Sequence, residues 1–211
     1  MKTIPITTTQ TVLVSFEKEE HMCYQVCSGA KLTLVVIARK AINAVLEIDL
    51  LETGSSAIIA GAVIGDGTSV ISLKTYQNHK APHTTSDLLV KSVMDDASTF
   101  SYTGVINVSP GAQQTNAYQR NDSLMLSPQA HTITSPALEI LADDVRCTHG
   151  ATIGDIDETQ LFYLHSRGIP QKQAESLIIE GFLLSVADRI NSEKDRLRFV
   201  QRIKNHLSFP P

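Results

Sequence analysis

The feature that most constrains the fold of this chain is a series of short apolar runs, separated by turn residues, in its first three quarters. The runs share a high content of aliphatic residues and a length of five to ten residues. They are the candidate strands 31–38, 44–51, 56–64, 69–75, 88–93, 99–108 and 137–141. Strands that recur at intervals of roughly 8–12 residues are typical of an all-β barrel, a sandwich or a solenoid. Periodicity alone does not distinguish these three architectures.

The composition of the chain changes near Gly154. Val, Ile and Thr are frequent before this residue, whereas charged residues are denser after it. β-Branched side chains fit a pleated sheet and crowd the preceding turn of a helix. The sequence therefore predicts a β-rich body over residues 1–154 and a helical domain over residues 155–211.

Three helices are predicted in the last part of the chain. Asp157, followed three residues later by Gln160, resembles a capping box, and Gly168 is placed to end the first helix. Ser192 is a suitable first residue for the third helix. The second helix carries an apolar stripe: Ala174, Leu177, Ile178, Phe182 and Leu184. This stripe either docks the helix on the body or contacts a partner protein, and the pattern leaves both open.

Charge and cysteine content exclude several classes of protein. The formal net charge is −4, which argues against a nucleic-acid-binding protein that relies on bulk electrostatics. No apolar run approaches the length of a membrane span, and the first residues lack the apolar core of a signal peptide. Three cysteines without a signal peptide favour a reducing compartment over a disulfide framework. We therefore expect a cytoplasmic protein that binds neither nucleic acid nor membranes.

The densest polar cluster is 143–150 (DDVRCTHG), in which Cys147 and His149 are two residues apart. In an extended strand both side chains point to the same face, with Cα atoms about 6.5 Å apart. Thiolate and imidazole are good ligands for iron or zinc, and a cysteine beside a histidine can also be a nucleophile. Two ligands make an incomplete metal site, so donors from another strand or subunit are needed. The spacing is equally compatible with a small buried cysteine and a turn histidine.

A second group of histidines supports an alternative function. His79 and His83 could join His149 as metal ligands in a β-fold hydrolase or lyase, although Pro82 between the first two favours a loop. The sequence lacks a GxxxxGKS phosphate-binding loop, so we expect no ATPase activity. A third alternative is a structural module whose helical stripe binds a partner without chemistry.

Several long segments resemble one known family. The segments 137–154 (ALEILADDVRCTHGATIG) and 157–169 (DETQLFYLHSRGI) are similar to motifs of the SufB/SufD family of the SUF iron–sulfur cluster assembly system. Upstream, 79–86 and 89–91 resemble the family's "H…PHTTS…LVK" stretch. Together the motifs cover most of residues 75–190, and they occur in the family's order.

The resemblance implies a fold and a set of partners. The body would be a right-handed parallel β-helix, and the C-terminal helices would dock an ABC-type ATPase subunit. SufB-like and SufD-like chains of the family pair through their β-helices. A transient iron–sulfur cluster is thought to form at that interface, between a cysteine of the SufB-like chain and a histidine of the SufD-like chain. The chain would be a scaffold subunit and not an enzyme.

The resemblance also assigns individual residues. His149 matches the histidine of the SufD-like chain, and Cys147 is the cysteine of the same motif. Leu177, Ile178, Phe182 and Leu184 would lie on the helix that docks the ATPase. Arg120 and Asn121 stand where the SufB-type cluster cysteine would fall, so the chain is SufD-like.

Two features depart from the family's usual pattern. Family members run to about twice this length and begin with a helical region, so the chain is either a natural short form or a fragment. Flavin binding, which is possible in the family, is doubtful here because that region is missing. The partner in the dimer is either a SufB-like chain or a second copy.

Overall fold

The computed structural model describes residues 2–16, 19–39 and 42–207. The strands of this part of the chain are β1 Lys2–Ile6, β2 Gln10–Phe16, β3 Glu20–Val26, β4 Lys31–Arg39, β5 Ile42–Leu50, β6 Ser56–Gly65, β7 Val70–His79, β8 Thr85–Met94, β9 Thr99–Val108, β10 Thr115–Met125, β11 His131–Ile140 and β12 Val145–Asp155. The helices are α1 Glu158–Ser166, α2 Gln171–Leu184, a short 3-10 helix Ser185–Arg189, and α3 Glu193–His206.

The strands form two parallel sheets that the chain visits in turn. One sheet has the order β1-β3-β5-β7-β9-β11 and the other β12-β10-β8-β6-β4-β2. Every paired strand is parallel to its neighbour, and consecutive strands belong to different sheets. The chain therefore winds as a coil, with two strands in each turn. This confirms the parallel β-helix with C-terminal helices and excludes the barrel and the sandwich.

The interior of the coil changes from apolar to polar along its length. In the second sheet, Leu34, Ile59 and Leu88 are in register on successive strands and are buried in the main core. The next residue in this row is Gln119, and the last is His149. Parallel strands in register present equivalent side chains to the same face. An aliphatic row therefore leads through a buried amide to a histidine on the final strand.

The helices pack on the outer face of the second sheet. Leu183 of α2 and Phe199 of α3 belong to one buried cluster with Val35 and Leu89, whose side chains point away from the coil interior. Helix α1 begins at a capping residue. The Asp157 carboxylate accepts a hydrogen bond from the N–H of Thr159 at 2.8 Å, so the capping bond does not involve Gln160.

The buried side of α2 differs from the predicted stripe. The structure buries Ala174, Ile179 and Leu183, and of these only Ala174 belongs to the stripe. Leu177 is 47% exposed, and Ile178, Phe182 and Leu184 are half-buried. Helical spacing identifies the apolar positions, but the sheet, through contacts distant in sequence, selects which of them are buried. Among the described helices, none has the length and apolar character that crossing a membrane would require.

Candidate functional site

Cys147 and His149 lie on β12, the last strand of its sheet. Cys147 is in register with Ala117 of β10, and His149 is in register with Gln119. Both β10 residues are buried in the coil interior, so the two β12 side chains lie on the interior face as well. Cys147 is half-buried and His149 is exposed. The strand thus presents a thiol and an imidazole on one face at the open end of the coil.

The thiol of Cys147 packs against a small apolar cluster. Its neighbours include Ile106, Val108 and Ala117. Burial raises the pKa of the Cys147 thiol above its ordinary value, and a hydrogen bond with the backbone of Ala117 partly offsets this rise. A raised pKa keeps the thiol protonated at neutral pH. Within this chain alone, Cys147 is therefore not an activated nucleophile, and it becomes a ligand only when a metal displaces its proton.

A buried amide network lies one coil before the histidine. The Gln119 amide donates to the carbonyl oxygen of Gly104 at 3.1 Å and accepts from Gln77 at 3.2 Å. The amide of Asn121 donates to the carbonyl oxygen of Val90 at 3.1 Å. The sequence motifs did not single out Gly104 as part of this region. The feature of the sequence that could have identified Gly104 is its position inside a strand pattern, because a glycine there often marks the close approach of another group.

Arg120 and Asn121 are neighbours on β10 whose side chains lie on opposite faces of the strand. Asn121 points into the coil, whereas Arg120 points outward and pairs with Asp122 at 2.9 Å. Both residues therefore have hydrogen-bond partners of their own, and neither offers a thiol.

The two histidines of the alternative site differ in their surroundings. His79 is fully buried at the end of β7, with its ring nitrogens 2.7 Å from the Thr84 hydroxyl and 2.9 Å from the Ser86 hydroxyl. Burial lowers the pKa of His79 to about 4. His83 is exposed on the following turn. Since both ring nitrogens of His79 are already occupied by hydroxyl groups, this residue is a satisfied core histidine.

The described residues contain a different cluster of potential metal ligands. Cys23, Glu47 and Asp49 have ligand atoms within 4.8 Å of one another. His79, His83 and His149 form no such cluster in this part of the chain. The structure therefore does not support the three-histidine hydrolase or lyase.

Both sheets end in an unpaired strand at the end of the coil that holds Cys147 and His149. In the described residues, β11 pairs only with β9 and β12 only with β10. Ile133 and Leu141 are large apolar residues exposed at this end. An open strand edge presents unpaired backbone groups that can pair with another chain. The candidate site therefore lies on a surface suited to pairing with another protein.

Comparison with known proteins identifies the family. The profile of the SUF system FeS cluster assembly SufBD core domain matches residues 6–182. The chain belongs to the SufB/SufD family. The match runs from the end of β1 through β12 to most of α2, and the family-defining region therefore contains the candidate site.

Individual relatives agree with this assignment. The chain is 36% identical over 138 residues to the iron–sulfur cluster assembly protein SufD of Escherichia coli strain K12, which covers 65% of this chain and 33% of the relative. It is 35% identical over 145 residues to SufD of Bacillus subtilis strain 168, covering 69% and 33%. A SufBD-family iron–sulfur cluster assembly protein of Synechocystis is 39% identical over 133 residues, covering 63% and 28%. The chain thus spans about a third of the length of these relatives.

Proposed function

We propose that this SufBD-family chain is a SufD-like subunit of a SUF complex and supports the formation of a nascent iron–sulfur cluster at the open end of its coil. The observation that carries the proposal is the placement of Cys147 and His149. Both lie on the interior face of the terminal strand, in a chain of an iron–sulfur assembly family. The cluster is the cargo of the reaction and is held only until it is transferred.

The chemistry of the two side chains suits this role. A thiolate and an imidazole both bind iron, and cluster ligation by cysteine and histidine together is known. In a strand the two side chains lie about 6.5 Å apart at their Cα atoms, so both can reach the same small cluster. They leave coordination positions free for donors from another chain.

We propose that a SufB-like chain, rather than a second copy, supplies those donors. Asn121 and Arg120 leave this chain without a thiol at the SufB-type position. The unpaired edges of β11 and β12 offer backbone groups for pairing, and edge pairing is a common mode of association. The exposed apolar residues Ile133 and Leu141 add a surface that pairing would bury.

We further propose that the C-terminal helices dock the ABC-type ATPase. Leu177 is exposed, and Ile178, Phe182 and Leu184 are half-buried, so these residues retain apolar surface for a partner. The ring of Phe182 lies 4.3 Å from the ammonium group of Lys91 on β8. Helix α2 also packs on the sheet that ends in β12. A movement of α2 on ATP binding would therefore be transmitted to the sheet that carries His149.

The test of the cluster site is anaerobic reconstitution of the complex with iron and sulfide. The full complex, with its SufB-like and ATPase subunits, is purified with each variant, and its iron and acid-labile sulfide are measured. We expect His149→Ala and Cys147→Ala to lose most of the bound iron and sulfide. Thr148→Ala is the matched control, because its side chain lies on the opposite face of the same strand. Equal cluster content in all four proteins would contradict the proposal.

The test of ATPase docking is co-purification. We expect Leu177→Asp to lose the ATPase subunit, because a charge replaces exposed apolar surface on the docking helix. Val70→Asp is the control, since Val70 is also an exposed apolar residue but lies on the other sheet. Retention of the ATPase by Leu177→Asp, or its loss in both variants, would contradict this part of the proposal.

A further inference from the structure

A second group of side chains of metal-ligand type lies on strands near the start of the coil. Cys23, Glu47 and Asp49 have ligand atoms that all lie within 4.8 Å of one another. They lie on β3 and β5, in the sheet opposite the one on which the C-terminal helices pack. Cys23 is 2% exposed and Asp49 is 5% exposed, so this is not a loose group of surface acids.

Strand register brings these side chains together. Cys23 and Glu47 are directly paired on neighbouring parallel strands, and Asp49 is two residues further along β5 on the same face. His21 lies two residues before Cys23, and its Nε2 is 2.6 Å from the Glu47 carboxylate. Three potential ligands, one thiol and two carboxylates, therefore form a compact block on two adjacent strands, and His21 lies beside it as a hydrogen-bond partner of Glu47.

The hydrogen bonds of the block leave room for a metal. One oxygen of Asp49 accepts from Asn78 at 2.8 Å, and the other accepts from Lys80 at 2.8 Å. These bonds hold the carboxylate in a fixed orientation. Each carboxylate has about four lone-pair sites, so both oxygens of Asp49 can accept further bonds. The neighbours therefore orient a ligand without exhausting it, as outer-shell partners do in known metal sites.

Charged groups surround the thiol of the block. The carboxylates of Glu47 and Asp49 lie beside Cys23, and the ammonium group of Lys80 is 2.8 Å from Asp49. Burial, together with the charges of Asp49 and Glu47, raises the pKa of the Cys23 thiol to about 11. The thiol is therefore protonated at neutral pH, and a metal ion has to displace its proton to bind it.

We propose that Cys23, Glu47 and Asp49 bind one divalent cation of the zinc or ferrous class, with water as the fourth ligand and His21 orienting Glu47 through its hydrogen bond. Zinc is commonly bound by four ligands drawn from thiolate, imidazole and carboxylate groups. Hard ions such as magnesium prefer an all-oxygen shell and are disfavoured by the thiol. The ion would connect β3 to β5 in the first coils of the β-helix. This site is independent of Cys147 and His149 and does not depend on the proposed assembly function.

The experiment uses cobalt(II) as a spectroscopic substitute for zinc. The parent protein carries Cys147→Ser and His149→Ala, so that the ligands at the open end do not contribute. We expect one equivalent of cobalt to produce the near-ultraviolet charge-transfer absorption of a thiolate–cobalt bond. Cys23→Ser should abolish this band. Cys27→Ser is the matched control and should retain it, because Cys27 is also a free cysteine, four residues away and outside the block.

Calorimetric titration with zinc gives a second measurement. We expect Glu47→Gln, a change of the same size on a half-buried side chain, to weaken zinc binding at least about tenfold, since even loss of an outer-shell partner has that effect. Circular dichroism of each variant confirms that the β-helix is folded. A parent protein without the cobalt band, or a band that survives Cys23→Ser, would overturn the proposal.

Discussion

The close contact between Gly104 and Gln119 leads to the most detailed prediction of this structure. A Cβ atom added at Gly104 would lie 2.6 Å from both Cδ and Oε1 of Gln119, which is closer than a Cβ atom approaches any non-bonded heavy atom. Gln119 is fully buried, so it has no free space into which to move. Gly104→Ala must therefore displace the Gln119 amide from its two hydrogen bonds or shift the strands apart.

The magnitude follows from the contacts that are lost. Each intramolecular hydrogen bond contributes about 0.5–1.5 kcal/mol, and inserting a methyl group into a packed core costs about 1–3 kcal/mol. These are two descriptions of the same displacement and are not added together. We expect Gly104→Ala to lower the free energy of unfolding by about 2–3 kcal/mol.

A double-mutant cycle tests whether Gln119 is the cause. Gln119→Ala removes the obstructing side chain, so Gly104→Ala in that background should cost less than about 1 kcal/mol. The coupling energy between the two positions should then be about 2 kcal/mol, within the range for contacting residues. The assay is urea denaturation followed by circular dichroism, which gives the free energy of unfolding and its dependence on denaturant.

Gly150→Ala is the matched control for this cycle. Gly150 also lies in a strand, but no heavy atom would lie within 4 Å of its added Cβ, so we expect a change within about 0.5 kcal/mol. Additive effects of Gly104→Ala and Gln119→Ala would refute the argument. They would show that Gln119 does not fill the space beside Gly104.

Two further predictions concern the core. Burial lowers the pKa of His79 to about 4, and in the unfolded chain it returns to about 6.5, so the unfolded state binds more protons between these values. The free energy of unfolding should therefore be highest above pH 6.5 and fall by about 3 kcal/mol as the pH drops from about 6.5 to 4. Urea denaturation at a series of pH values measures this fall, and His79→Gln should remove it. A pH profile that is the same in His79→Gln and the wild type would contradict the prediction. Phe199→Ala should destabilise the protein by about 3–5 kcal/mol because Phe199 is buried between α3 and the sheet. Leu197→Ala on the same helix should change the stability by no more than about 0.5 kcal/mol because Leu197 is 60% exposed. Similar melting temperatures for the two alanine variants would show that α3 is not anchored through Phe199.

The sequence predicted the apolar strands well, because their burial on the interior face produces a pattern that is visible locally. It did not identify β1, β2, β10 or β12 as strands. Gln119 and Asn121 on β10 are buried polar residues whose partners come from strands distant in sequence. Strand β12 is mostly exposed at the edge of its sheet, so it lacks the apolar alternation of a covered strand. The alternation of apolar and polar residues alone therefore does not reveal the two strands nearest the candidate site.

The choice of a β-helix also lay beyond local pattern. Strands such as β7 and β9 pair across a separation of about 30 residues in a parallel register, for example Val70 with Thr99, and the same strands could have formed an antiparallel sandwich. The family resemblance decided between these possibilities. His79 is a residue whose burial the sequence did not predict. Its polar surroundings in the sequence predicted a solvated loop, but hydroxyl groups of Thr84 and Ser86 allow it to be fully buried.

The most direct measurement of the assembly proposal is the rate of cluster transfer from the complex to an apo-ferredoxin-type acceptor, followed by visible absorption. The complex contains this chain with its SufB-like and ATPase subunits and is loaded with iron and sulfide before transfer. The proposal predicts that the Cys147→Ser/His149→Ala protein transfers no cluster and that His83→Ala transfers at the wild-type rate. Wild-type transfer by the double variant, or a comparable loss in His83→Ala, would contradict the placement of cluster assembly at the open end of the coil.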